Sequence, residues 1–130
     1  MGIKSLIMDI LRTTRTAQVS RSADGIVVTR INEGAEQTIQ DARDNIAASA
    51  DVAGSARAPL LTDIRGSAPL DAETRHFYSG RQLTDHFTAL ALLVQASPFG
   101  RMFGNIYLRV ANPGIPAKLF ASEDEAMAWL

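Results

Sequence analysis

Between Thr88 and Ala96 the chain reads Ala89-Leu90-Ala91-Leu92-Leu93-Val94, six successive positions with no polar side chain. Successive residues of a strand point to opposite faces, so this run asks for apolar cover on both sides. That is the setting of an interior strand in a parallel sheet, and parallel strands need long crossover connections, usually helices. The remainder of the 130 residues must therefore supply partner strands and the helices between them.

A second apolar run, Leu60 to Ile64, is bounded by Pro59 and Gly66 and reads as the central strand. A loop with Gly66 and Pro69 follows it, then Asp71 as N-cap of a helix from Ala72 to about Ser79, which Gly80 stops or bends. Upstream, residues 17–21 and 26–31 flank Ser22-Ala23-Asp24-Gly25, a hairpin signal, and Asn32-Glu33-Gly34 closes the second strand. Thr38 and Asp41 form a capping box, with Asp for Glu, opening a helix to about Val52. Its inner face is expected to be Ile39, Ala42, Ile46, Ala50 and Ala53, with Gly54 just past its end.

Residues 81–86 fit one further helical turn. Ser97-Pro98 opens a helix whose face is Phe99, Phe103, Ile106 and Val110, ending at Asn112-Pro113-Gly114. Residues 117–121 form a last strand, and Ser122-Glu123-Asp124-Glu125 caps a final helix carrying Ala126, Met127, Trp129 and Leu130. At the start, Ile3, Leu6, Ile7, Ile10 and Leu11 lie at helical spacing, with a short strand as the rival reading. The order β-β-α-β-α-β-α-β-α predicts one α/β domain with an N-terminal β-hairpin and a mostly parallel sheet.

Composition removes several function classes. Thirteen basic and 14 acidic residues give a net charge of −1, without the basic surplus that nucleic acid demands. The absence of cysteine excludes disulfides, thiolate metal sites and thiol catalysis. The apolar start is too short and too interrupted for a membrane span, and Leu6 stands where a myristoylation signal wants Ser or Thr. A soluble, cytoplasmic protein is expected.

The segments Leu-Leu-Thr-Asp-Ile-Arg-Gly before a helix, Ala-Leu-Ala-Leu-Leu-Val before Ser-Pro, and Lys-Leu-Phe-Ala-Ser-Glu-Asp-Glu-Ala-Met-Ala-Trp-Leu at the end are similar to those of small bacterial proteins with the anti-sigma-factor-antagonist-like (STAS) fold. That fold is also likened to the CRAL-TRIO lipid-binding fold. The resemblance covers residues 15–130, leaving 1–14 as an N-terminal segment and candidate oligomer contact. It implies a right-handed β-α superhelix and a regulatory, partner-binding role without catalysis or cofactor. Antagonists of this type carry a phosphorylated Ser just after an Asp at the start of the helix following the central strand. Here that Asp matches Asp71, and Ala72 occupies the place of the Ser.

Asp63, Ser67, His76, Asp85 and His86 include the residue types of a Ser-His-Asp site, but no serine sits in a Gly-x-Ser-x-Gly elbow. His86 has only Asp85 beside it, so no metal site is expected. Gly100 and Gly104 lack the Gly-Lys-Ser/Thr of a phosphate loop and suit close packing of helix on sheet. Open α/β sheets bind ligands at the carboxyl ends of their strands. Arg65, Gly66, Ser67, Asp71, Ser97 and Arg101 fall on that edge and are the candidate site residues, for a partner or a weak anion. The competing expectation is that Arg65 pairs with a carboxylate such as Asp71. A protein-binding module is the leading functional reading. A carrier of a small apolar or lipid-like ligand, suggested by Phe99, Met102, Phe103 and Tyr107, is the second.

One expectation concerns assembly. Leu90, Leu92 and Val94 share one face of their strand, while Ala89, Ala91 and Leu93 share the other. Helices kept to one side of the sheet would leave the second face to the N-terminal stripe or to another copy. A homodimer with apolar contacts from residues 1–12 is the resulting prediction.

Overall fold

A computed structural model describes residues 9–78, 82–102 and 114–130. Six strands form one sheet in chain order: β1 (Ile10–Thr13), β2 (Ala17–Arg21), β3 (Val27–Ile31), β4 (Ala58–Asp63), β5 (Phe87–Leu93) and β6 (Ala117–Phe120). The first three pair antiparallel and β3 to β6 pair parallel. Among the described residues the helices are α1 (Ile39–Ala53), α2 (Ala72–Tyr78), α3 (Gln82–His86) and α4 (Glu123–Trp129), and residues 98–102 form a further helical turn. The predicted α/β domain with its hairpin and mostly parallel sheet is the fold observed. The expected residues Ile3, Leu6, Ile7, Gly80, Phe103, Gly104, Ile106, Tyr107, Val110 and Asn112-Pro113 lie outside the described residues.

Local signals act where they were read. Gly25 takes φ +85° in the β2–β3 turn, which an L side chain would resist. Thr38 and Asp41 complete both halves of the capping box, and Gly54 ends α1 at φ +79°. Asp71 Oδ1 accepts from Thr74 N–H at 2.8 Å, capping α2, and Ser122 Oγ accepts from Glu125 N–H at 3.3 Å, capping α4.

Three readings change. Ile10 and Leu11 belong to a strand rather than to a buried helical stripe, and are 52% and 45% exposed. Thr14 makes the difference: its hydroxyl accepts from Thr16 and Ala17 N–H, turning the chain so that β1 pairs with β2. A helix of so few residues is marginal, whereas the edge of β2 offers a row of hydrogen-bonding groups.

Second, the buried face of α1 is Asp41, Ala42, Asn45, Ala48, Ser49, Val52 and Ala53. Ile39, Ile46 and Ala50 are only half-buried. The helix is turned to bring Asn45 and Ser49 inward, because Thr16 of the β1–β2 turn and Thr29 of β3 meet them there.

Third, both faces of β5 are covered within one chain. Helices α1 and α3 pack with Val19, Val27, Leu60, Phe87 and Leu90 on one side. On the other, Ala126, Met127 and Leu130, at the C-terminal end of the chain, pack with Ile26, Val28, Leu61, Ala91 and Leu93. The last helix thus crosses to the face for which the sequence suggested a second copy, and the burial argument for a homodimer falls away.

Candidate functional site

The parallel strands β3, β4 and β5 all end at one edge, where their loops are tied together before any ligand arrives. Gly34 N–H donates to Gly66 O at 2.7 Å and Ala68 N–H to Ala35 O at 3.0 Å, joining the loops after β3 and β4. Gln95 Nε2 donates to Arg65 O at 2.7 Å, joining the loops after β4 and β5. Two close approaches depend on glycine. A Cβ on Gly66 would stand 2.7 Å from Glu33 Oε2 and 3.0 Å from Glu33 Cα, and one on Gly100 would stand 2.6 Å from Gln95 O.

Between these loops lies a cleft of about 130 Å³. Ile64 and Val94, continuing β4 and β5, form its floor; Arg65, Ser67 and Pro69 make one wall and Gln95, Phe99 and Gly100 the other. Phe99 is 67% exposed at its rim and Met102, one turn on, is 54% exposed. The expectation that Phe99 belongs to a buried helix face is overturned. The turn starts beyond the end of the sheet, and the small side of it, at Gly100, is what packs against Gln95.

Behind the cleft sits a cluster of four charges. Arg65 donates to Asp63 from Nε at 3.0 Å and from Nη2 at 2.9 Å, and its Nη2 lies 3.5 Å from Glu123 Oε1. Arg30, beside Asp63 across the β3–β4 pair, donates to Asp63 at 2.8 Å and to both Glu123 oxygens at 2.7 and 2.9 Å. Burial pushes the Asp63 carboxyl upward, but the Arg65 and Arg30 hydrogen bonds outweigh it and hold the group below the usual carboxylate range. Arg65 does find a carboxylate, but not Asp71. Residues two apart at a strand end share a face, so Asp63 is within reach while Asp71 is committed to its cap. With Asp63 neutralising it, Arg65 does not offer the free positive charge that an anion site needs.

Of the six sequence candidates, the fold brings Arg65 and Ser67 into the cleft. Gly66 and Ser97 shape its walls from behind, Ser97 Oγ accepting from Gly100 N–H at 3.0 Å. Asp71 is an exposed cap, and Arg101 is exposed on the helical turn without an ion pair among the described residues. Gln95 and the Arg30–Glu123 pair were missed, and Phe99 was placed on a helix face and on the apolar stripe of the carrier reading; the position of Gln95, directly after the apolar run, was a usable signal. Ser67 Oγ–H donates to Ala68 O at 2.7 Å, and Asp63 serves two guanidinium groups, so neither is poised for chemistry. Among the described residues no cluster of three His, Asp or Glu is placed to hold a metal, and no helix is long and apolar enough to cross a membrane.

A second cavity of about 30 Å³, partly open, lies under α1 between Asn45, Tyr78, Thr29, Thr62 and Leu90. That volume admits a water or two and no acyl chain. Burial pushes the Tyr78 hydroxyl up to about 12, and it donates to Gln37 Oε1.

Residues 20–130 match a family described as a domain of unknown function, DUF7793. The chain belongs to the DUF7793 family. For this DUF7793 chain no curated protein gives a match. A crystal structure from Shewanella loihica PV-4, of a DUF3478-family protein with a SpoIIAA-like fold, superposes with a TM-score of 0.60 at 14% identity, covering 92% of this chain and 98% of that one. That likeness fixes the fold of this DUF7793 member as STAS-like, as the sequence resemblance implied. A structure from Arthrobacter sp. FB24 is 26% identical over 91% of this chain and 94% of that one, with a TM-score of 0.35.

Proposed function

We propose that this protein is a non-enzymatic, cytoplasmic binding module of STAS type, whose strand-end cleft seats an apolar side chain of a protein partner. The observation that carries the reading is a braced cleft of about 130 Å³ with Phe99 two-thirds exposed at its rim. Cavities near 150 Å³ accept a benzene-sized group, and buried anchor side chains in such pockets dominate interface energetics. The walls are already hydrogen-bonded to one another, so binding has little loop ordering to offset. Ala72, in place of the Ser of phosphorylated antagonists, supports a partner choice that is not switched at that position. The carrier reading finds less support, because the cavity under α1 is too small for a lipid.

The test replaces Phe99 with a photo-crosslinking phenylalanine analogue in cells of the native host, with the same analogue at exposed Asp44 of α1 as control. A discrete adduct from position 99 and none from position 44 supports the reading. No adduct from position 99 contradicts it. An adduct of twice 14.0 kDa would make the partner a second copy of the chain.

A further inference from the structure

Arg65 belongs to two places at once. Its carbonyl oxygen is part of the cleft wall, held by Gln95 Nε2. Its guanidinium turns away round the end of β4 to Asp63 and Glu123. Glu123 is the first residue of α4, the helix on the far face of the sheet. We infer that the Arg30–Asp63–Arg65–Glu123 cluster couples the cleft wall to the docking of the C-terminal helix. This goes beyond the binding role proposed above and holds whether or not the cleft takes a protein.

Two guanidinium groups face two carboxylates, and each carboxylate serves both arginines. Asp63 and Glu123 have side chains 8% and 19% exposed, so their charges are poorly screened and each needs its cations. Removing the charge of Glu123 leaves two guanidiniums facing Asp63 alone. Arg30 loses the charge of the carboxylate that held it by two bonds and, lying beside Asp63 on the neighbouring strand, turns wholly to that group. There it competes with the two side-chain bonds of Arg65, whose guanidinium, 43% exposed against 34% for Arg30, has water to turn to. Its own N–H also donates to Asp63 Oδ1 at 3.1 Å, so disturbing that carboxylate loosens the backbone of the wall itself. In the other direction, a ligand that shifts the Arg65 backbone in the cleft wall loosens its hold on Asp63, to which Arg30 then turns from Glu123, weakening the seat of α4. Coupling between two sites is reciprocal.

The test is amide hydrogen exchange by NMR on the full chain, with two variants of α4. Glu123→Gln removes the charge and keeps the shape; Ser122→Ala removes the helix cap next door, whose hydroxyl serves the Glu125 amide and not the charge cluster. Glu123→Gln is expected to speed exchange of the Arg65 and Ser67 amides roughly three- to tenfold and to move the Gln95 side-chain amide resonances. Ser122→Ala is expected to speed exchange within α4 alone. Unchanged Arg65, Ser67 and Gln95 signals in Glu123→Gln would overturn the coupling. Equal loosening of the cleft wall by both variants would overturn its assignment to the charge cluster.

Discussion

Asn45 is the residue where the structure departs furthest from an apolar-stripe reading of α1, and its replacement is the sharpest test of the fold. It is 2% exposed. Its two amide hydrogens are shared among Thr16 Oγ1 at 2.9 Å, Gln37 Oε1 at 3.1 Å and Tyr78 OH at 3.3 Å, and its carbonyl accepts from Thr14 Oγ1. One side chain thus fastens the β1–β2 turn, the loop before α1 and the end of α2. Asn45→Ala loses about three buried hydrogen bonds at about 1 kcal/mol each. The vacated space adds up to about 1 kcal/mol, reduced where water from the adjoining cavity fills it. The expected cost is about 3 kcal/mol. With a urea m-value of about 1–3 kcal/mol/M, the midpoint should fall by between about 1 and 3 M. Circular dichroism gives the measurement, with fluorescence of Trp129 as a second probe; coincident curves confirm a two-state transition. Asn45→Leu decides the reasoning, because an apolar side chain of similar size still strands Thr14, Thr16 and Gln37. It should be no more stable than Asn45→Ala, and a Leu variant as stable as wild type would refute the polar layer. Asp51→Ala, on the exposed face, should stay within about 0.5 kcal/mol of wild type.

Two further outcomes follow from the same contacts. Arg15, assisted by the Thr38 hydrogen bonds, holds the Asp41 carboxyl well below the usual carboxylate range. A folded pKa below the unfolded one gives stability that is full above about pH 4 and is lost as pH falls through the folded value. The difference in urea midpoint between wild type and Asp41→Asn should therefore be largest at pH 6 and shrink by pH 2, and a gap that widens on acidification would contradict it. Gly100→Ala places a Cβ 2.6 Å from Gln95 O and 3.1 Å from its Cβ; a cost of about 1–3 kcal/mol is expected, with displaced Gln95 side-chain resonances, and a neutral substitution with an unmoved Gln95 would show that the wall is not tightly packed.

Much of the candidate site was legible in order along the chain and illegible in space. Arg65, Gly66 and Ser67 were found because a strand end, a loop and a cap announce a ligand edge within a dozen residues. Gln95 was not, and Phe99 was placed on a helix face rather than at the cleft, since what makes them cleft residues is contact with a loop some thirty residues earlier. The same limit explains the wrong carboxylate. Asp71 is as near to Arg65 in sequence as many true partners, yet capping geometry had already claimed it.

The sequence alone determined the α/β class, the hairpin, the positions of β2 to β6 and three helix starts. Each is set by interactions within a few residues: alternation on β5, the Asp24-Gly25 turn, and the hydroxyl or carboxylate of Thr38, Asp71 and Ser122 reaching a backbone N–H three positions on. Only the tertiary structure decided which face of α1 turns inward, that β1 adds to the sheet, that α4 covers the second face of β5, and that Arg30 meets Glu123 across 93 residues. These outcomes depend on surfaces assembled from distant segments. Asn45 is buried because Thr14, Thr16, Gln37 and Tyr78 converge on it, and no local pattern in the helix records where their oxygens will be.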